Sequence, residues 1–153
     1  MSKKYALGID IGGTNTAYGL VDQSGTVLYE TSIKTGDYPN PVDLVETIYM
    51  DLNSKNHIDS IQGMCIGAPN GNHFTGNIEY APNLKWKGIV PLAHLFEAKF
   101  NKPANLTNDA NAAAIGEMLF GNAKDLKDFV IISLGTGLGS GIIIDKKIVY
   151  GDQ

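Results

Sequence analysis

Two glycine-rich turns, each placed between strand-like runs, constrain this chain more than any other feature. The first is "DIGGTNT" at 10–16 and the second "GTGLGSG" at 135–141. Laid over each other at one offset, "IDIGGTNTAYGLVDQSGTVLY" and "ISLGTGLGSGIIIDKKIVY" put Ile9 on Ile132, Ile11 on Leu134, Gly12 on Gly135 and Asp22 on Asp145. Each copy reads strand, Gly/Thr turn, strand, short turn, and a third strand ending in tyrosine. The repeat implies two related domains, a complete one over 1–127 and the opening strands of another over 128–153.

The stretch between the copies supplies the rest of the first domain. Strands are expected over 5–11, 17–22 and 26–33, from β-forming runs broken by tight turns. A helix follows, with Asn40 as cap and Pro41 in its first position, and with Val42, Val45, Tyr49 and Leu52 inward. A fourth strand covers 58–69, and 70–87 reads as a loop or short hairpin. "VPLAHLFEAKFN" makes a second helix with Leu92, Leu95, Phe96 and Phe100 inward. "KPANLTN" is a fifth strand, and "DANAAAIGEMLFGN" a third helix closed by Gly121. The order β-β-β-α-β-α-β-α argues for an α/β domain, a mixed sheet with helices on its faces.

Composition narrows the function classes. A net charge of −4 with no basic run argues against nucleic acid as a partner. One cysteine, Cys65, excludes an internal disulfide framework and suits a reducing compartment. No apolar run is long enough to span a membrane and the N-terminus lacks a signal-peptide pattern, so a cytoplasmic location is expected.

The loops carry the chemistry. A dinucleotide fingerprint needs a helix after its glycines, and here strands follow. The Walker pattern GxxxxGK[ST] is absent. What remains is a hairpin turn whose backbone N–H groups and hydroxyls (Thr14, Thr16, Thr136) can face a phosphate. An ordinary glycine turn is the competing reading, and two matched loops favour phosphate. Asp10 closes an otherwise apolar strand beside the first loop, where holding Mg²⁺ through water or capping the turn would explain it. Asp109 lies where a strand runs into a helix, "LTNDANAAA". The helix dipole favours its carboxylate, which could accept a proton from an attacking hydroxyl; a plain N-terminal helix aspartate is the alternative. Alanines 110, 112, 113 and 114 make that helix thin enough for close packing. His57, His73 and His94 show no metal-ligand spacing, and Trp86 reads as a packing anchor.

These residues together resemble the ROK family (repressors, open reading frames and sugar kinases), especially its glucokinase-like members. "IDIGGTNT" looks like the family's first phosphate loop, "TNDANAAAIGE" its catalytic segment and "SLGTGLGSGI" its second phosphate loop. "IGAPNG" and "APNLKW" fall where the family places sugar-contacting loops. The resemblance implies the actin-like ATPase fold, built from two ribonuclease-H-like domains with the active cleft between them. It implies ATP- and Mg²⁺-dependent phosphorylation of a hexose, glucose first among the candidates. Asp109 would be the base and Asp10 would orient the metal. Gly12, Gly13, Thr14, Thr16, Gly135, Thr136 and Gly137 would cradle phosphates. Asn83, Asn108 and Asp109, with the backbone at Gly67 and Ala68, would hold sugar hydroxyls.

The sequence also departs from the family pattern. The Glu-x-x-Gly-His sugar motif, the cysteine-rich zinc site and most of the adenine-binding domain are not in these 153 residues. The chain is therefore expected to be an inactive N-terminal fragment of a kinase. A winged-helix segment ahead of "DIGGT" is missing, which favours the kinase branch over the repressors. Asn70 stands where many members carry glycine. A non-catalytic sugar-binding or regulatory module is the alternative, and a ribonuclease-H-like nuclease lacks its converging carboxylates. Residues 129–153 are too few to bury a core of their own. They are expected to dock on the first domain or to pair with a second chain, as in a homodimer.

Overall fold

The computed structural model describes residues 4–135 and 137–150. β1 (Tyr5–Ile11), β2 (Asn15–Val21) and β3 (Val27–Lys34) form an antiparallel meander. In β1, Tyr5, Leu7, Ile9 and Ile11 alternate inward while Ala6 and Asp10 are exposed, the two-residue period of a strand with one covered face. The turn after β2 is fixed by Asp22, whose Oδ1 accepts from the N–H groups of Ser24 (2.9 Å) and Thr26 (3.0 Å).

Helix α1 (Pro41–Ser54) starts as the sequence indicates, with Asn40 Oδ1 accepting from the Val42 N–H at 3.0 Å and Pro41 in the first turn. Its buried stripe is Leu44, Val45, Ile48 and Leu52. Val42, expected inward, is 49% exposed because it lies rotated past the edge of that stripe; Tyr49 sits nearer the edge and packs partly against the core. Residues 58–60 form a 3₁₀ turn rather than the start of a strand, and β4 (Ile61–Ala68) then runs parallel to β1.

The region expected to be a loop or short hairpin does form a short hairpin, β5 (Gly71–Asn72) with β6 (Asn77–Glu79), and β7 (Ile89–Val90) beyond it completes a small three-stranded sheet. Trp86 is buried there and its indole N–H donates to the Tyr38 carbonyl at 2.9 Å, the anchoring role expected of it. Helix α2 (Leu92–Phe100) buries Leu92, Phe96 and Phe100. β8 (Ala104–Asn108) is parallel to β4, giving the sheet order β3-β2-β1-β4-β8.

Helix α3 (Asp109–Phe120) leaves the end of β8 directly. α1 and α2 cover the sheet face bearing Leu7, Ile9, Leu20, Met64, Ile66 and Leu106. α3 lies on the opposite, small-residue face: a Cβ on Gly67 would stand 3.1 Å from that of Ala112. The mixed sheet with helices on both faces is thus as expected.

The second meander is β9 (Phe129–Leu134), β10 (Leu138–Ile144) and β11 (Lys147–Ile148), again antiparallel throughout. Its last turn has positive φ at both Asp145 (48°) and Lys146 (59°), the two-residue geometry that matches strand twist. It docks on α3 through glycine: a Cβ on Gly141 would lie 2.5 Å from the Ala110 carbonyl oxygen and 2.6 Å from the Ala114 Cβ. Residues 151–153 lie outside the described residues.

The single-offset overlay of the two copies needs one correction. The last β1–β2 pair is Ile11↔Thr16, whereas the last β9–β10 pair is Leu134↔Leu138, so the second loop is one residue shorter. A one-residue change of register exchanges the faces of a strand. The overlay therefore sets Tyr18, buried on the α1 side, over Gly141, which packs on α3. Ile9 and Ile132 both face away from α3, Ile9 covered in the core and Ile132 64% exposed.

Candidate active site

The strand order brings the ends of β1, β4 and β8 side by side. Asp10 pairs with Gly67, Gly67 with Thr107, and Ala68 with Asn108. Gly67 is the spacer between the two acidic groups: a Cβ there would lie 3.9 Å from Asp10 Oδ1 and 3.6 Å from the Asp109 Cα. Partial burial, and then the neighbouring Asp109 carboxylate, push the Asp10 carboxyl above the usual aspartate range. A cation at this edge would relieve that repulsion, so the pair fits a divalent metal ion held largely through water.

Asp109 opens α3, exposed, with Oδ1 accepting from the Ala110 N–H at 2.8 Å. Asn108 caps the helix, its Oδ1 accepting from the Asn111 N–H at 2.7 Å. With one lone pair of its Oδ1 so engaged, the Asn108 amide keeps its N–H donors for a ligand.

A cleft of about 890 Å³ opens between loops flanking the five-stranded sheet and the β9–β10 hairpin. Asn83, Asn108 and Asp109 line it, as do Gly12 and Gly13 from the first loop and Gly135 and Gly137 from the second. The two glycine loops expected to act together do face one space. The first is held against the segment carrying Asn83 by close approach, since a Cβ on Gly13 would be 2.9 Å from the Asn83 carbonyl oxygen.

Within the loops the donors divide. The Gly12 N–H closes its own turn to the Asn15 carbonyl (2.9 Å), and the Gly135 N–H closes its turn to that of Gly137 (3.0 Å). The N–H groups of Gly13, Thr14 and Gly137 make no bond to a described residue and remain for a ligand.

Five of the expected residues do not line the cleft: Asp10, Thr14, Thr16, Gly67 and Ala68. Thr16 is fully buried with its hydroxyl bonded to that of Thr35 at 2.8 Å, because it falls on the inward face of β2. Ala68 is also fully buried and lines no part of the cleft, whereas Gly67 floors a neighbouring apolar groove with Asp10. Thr136 lies outside the described residues.

Sequence reasoning missed Asn70, Asn72, Glu79 and Ser140, which also line the cleft. Asn70 has φ 51°, a left-handed conformation that asparagine tolerates better than most residues, which explains its standing in for glycine. Its amide donates to the Glu79 carbonyl at 3.0 Å and so ties the loop to β6.

The sequence matches the ROK family over residues 6–153. The chain belongs to the ROK family. Among ROK relatives, the glucokinase of Streptomyces coelicolor is 38% identical over 146 residues, 95% of this chain and 45% of that protein. A xylose repressor of Caldicellulosiruptor bescii is 45% identical over 92 residues, 60% of this chain and 23% of the repressor. The crystal structure of a ROK glucokinase from Streptomyces griseus with glucose and AMPPNP superposes with a TM-score of 0.82 at 36% identity. It is matched over 97% of this chain and 47% of that one. The fold is accordingly that of the actin-like ATPases, and the chain spans about half the length of the ROK glucokinases it matches. Among the described residues no helix is long and apolar enough to cross a membrane.

Proposed function

We propose that this chain provides the sugar-binding and first phosphate-binding half of an ATP-dependent hexose kinase, with glucose as the hexose. The observation that carries the reading is the convergence of Asp109, Asn83, Asn108 and both glycine loops on one cleft. The glucose and AMPPNP held by the Streptomyces griseus relative supply the ligand classes.

In this reading Asp109 accepts the proton of the attacking sugar hydroxyl, a role its exposed position at a helix N-terminus suits. The Asn108 amide and Asn83 orient the sugar. The N–H groups of Gly13, Thr14 and Gly137, with Thr136, take phosphate oxygens. Asp10 holds Mg²⁺ through water, and the ion supplies charge neutralisation for the phosphates when bound. Positioning and electrostatics supply most of the rate in such transfers. Residues 128–153 form the start of the second, nucleotide-binding domain, and a cytoplasmic location fits this role.

Coupled-assay turnover with glucose and ATP tests the reading in two parts. The 153-residue chain alone is expected to turn over negligibly, since only the opening hairpins of a second domain are present; ordinary enzymatic rates from it would overturn that. In a protein extended to the length of its relatives, no glucose-dependent ATP consumption would remove the kinase reading. The similarity to a xylose repressor supports a second reading, a sugar-responsive module without chemistry. Tight sugar binding without phosphoryl transfer at full length would favour it. A homodimer formed through the edge of residues 129–153 is a further proposal, checked by sedimentation against concentration.

A further inference from the structure

We propose that Glu79 is a second carboxylate anchor of the cleft, accepting hydroxyl hydrogen bonds from the sugar and restricting the sugar position beside it to neutral polyhydroxylated ligands. The inference rests on the sugar-binding reading above and adds a residue that reading does not use.

Glu79 sits on β6 and lines the same cleft as Asp109. Its Oε1 is fixed by two neutral donors, the Asn72 amide at 3.2 Å and the Thr75 hydroxyl at 3.0 Å. Asn72 is itself only 5% exposed, and its Oδ1 accepts from the N–H groups of Phe74 (2.9 Å) and Thr75 (3.3 Å). The backbone of Glu79 is held from the other side, its N–H donating to the Asn70 carbonyl at 3.0 Å and its carbonyl accepting from the Asn70 amide. A surface glutamate with only a structural task would ordinarily be free to rotate or be paired with a cation. This one is held by uncharged groups, and Oε2 has no hydrogen bond to a described residue.

The surroundings name the ligand class. Among the described residues lining the cleft there is no lysine, arginine or histidine, while two carboxylates (Glu79, Asp109) and four asparagines (Asn70, Asn72, Asn83, Asn108) are present. An ionised carboxylate only accepts hydrogen bonds, so its partner must bring donors. Sugar hydroxyls do so, and charge-assisted O–H···O⁻ bonds are among the stronger ones. A carboxylated sugar would bring its charge beside Glu79 and Asp109, with no cationic side chain among the described lining residues to offset it.

Calorimetric titration of the 153-residue chain with glucose, glucuronate and gluconate tests this, using wild type, Glu79→Gln, Glu79→Asp and Asp109→Asn. Glutamine keeps an acceptor for Asn72 and Thr75 but loses the charge. The expected result is glucose binding weakened roughly tenfold or more by Glu79→Gln at an unchanged melting temperature. The preference for glucose over the acidic sugars should fall by a similar factor. Glu79→Asp, which retains charge but loses reach, should weaken glucose while still excluding the acidic sugars, and it stands in if the glutamine variant does not fold. Glucose affinity within twofold of wild type in Glu79→Gln overturns the proposal and leaves the sugar reading intact. So does relief of acid exclusion by Asp109→Asn alone. A folded wild-type chain that binds no glucose overturns both.

Discussion

The two meanders are built from one pattern and live in different surroundings. β1 buries Tyr5, Leu7, Ile9 and Ile11 under α1, inside a five-stranded sheet. β9 exposes Val130 (56%), Ile132 (64%) and Leu134 (84%), and β10 exposes Leu138 (76%). The strands themselves are equally regular, so alternation and turn chemistry make a hairpin, and burial comes from whatever packs on it. The helix between them, α3, serves both. It touches the first sheet where Ala112 meets Gly67, and the second where Ala110 and Ala114 meet Gly141. Its first residue is Asp109.

The sharpest way to break the comparison is to remove chemistry and leave both meanders standing. Under the proposed function, Asp109→Ala should lower glucose-dependent ATP turnover of a protein extended to the length of its relatives by ~10²- to 10⁴-fold, the range for loss of a positioned base. Circular dichroism and the melting temperature should stay near wild type, because Asp109 is exposed and its one bond from the protein is a local one to Ala110. Retained turnover would take the residue out of its role.

Next in size are two aspartates with opposite duties. Asp51 ties the first meander to α1, accepting from the hydroxyls of Tyr18 (2.9 Å) and Tyr29 (2.8 Å) and from Lys55. Asp51→Ala would strand the buried Tyr18 hydroxyl and should cost about 1–3 kcal/mol in urea unfolding. Burial alone would raise the Asp51 pKa, yet the Lys55, Tyr29 and Tyr18 hydrogen bonds outweigh it and hold the carboxyl below the usual range. Its contribution is therefore present above the unfolded pKa and fades as pH falls through the depressed folded one. Asp10 has the reverse sign. Its raised pKa means that ionisation opposes folding, a cost that declines as pH falls through the folded value and is gone below the unfolded one. Asp10→Asn should then melt slightly higher than wild type at neutral pH while weakening Mg²⁺-dependent nucleotide binding. A lower melting temperature would contradict the repulsion with Asp109.

The second meander offers its own test. Gly141→Val places carbon where the Ala110 carbonyl and the Ala114 methyl now sit, and overpacking of this kind costs roughly 1–3 kcal/mol. Hydrogen exchange should quicken across β9 and β10 and remain slow in β1 and β2. Equal acceleration in both sheets would show that they unfold as one unit rather than through a shared helix.

How far the sequence disclosed all this follows from which interactions are local. The meanders, the Asn40 and Pro41 start of α1 and the strand-to-helix step at Asp109 rest on nearby residues, and each was legible. Facing was harder. Val42 and Ile132 both sit in correctly placed elements, yet the exposure of the first depends on helix rotation and that of the second on what packs over its strand. The glycine loops were legible as motifs, while the burial of Thr16 against Thr35 depends on a segment 19 positions away. Glu79 carried no motif at all. Its place in the cleft comes from β6 pairing with β5, whose Gly71 presses on β8 so closely that a Cβ would be 2.5 Å from the Thr107 carbonyl oxygen.

The smallest expected effect separates packing glycines from idle ones on the shared helix. Gly116 lies inside α3, exposed, and a Cβ there would meet nothing within 4 Å. Glycine in a helix interior is less favourable than alanine by roughly 0.5–1 kcal/mol, because the unfolded chain has more freedom to lose. Gly116→Ala should therefore raise the melting temperature by a few degrees while turnover and exchange in both meanders stay as they are. Gly141→Ala, the same chemical change on the strand facing that helix, should lower it. If the two substitutions moved stability in the same direction, close approach to the α3 backbone would not be what holds the second meander in place.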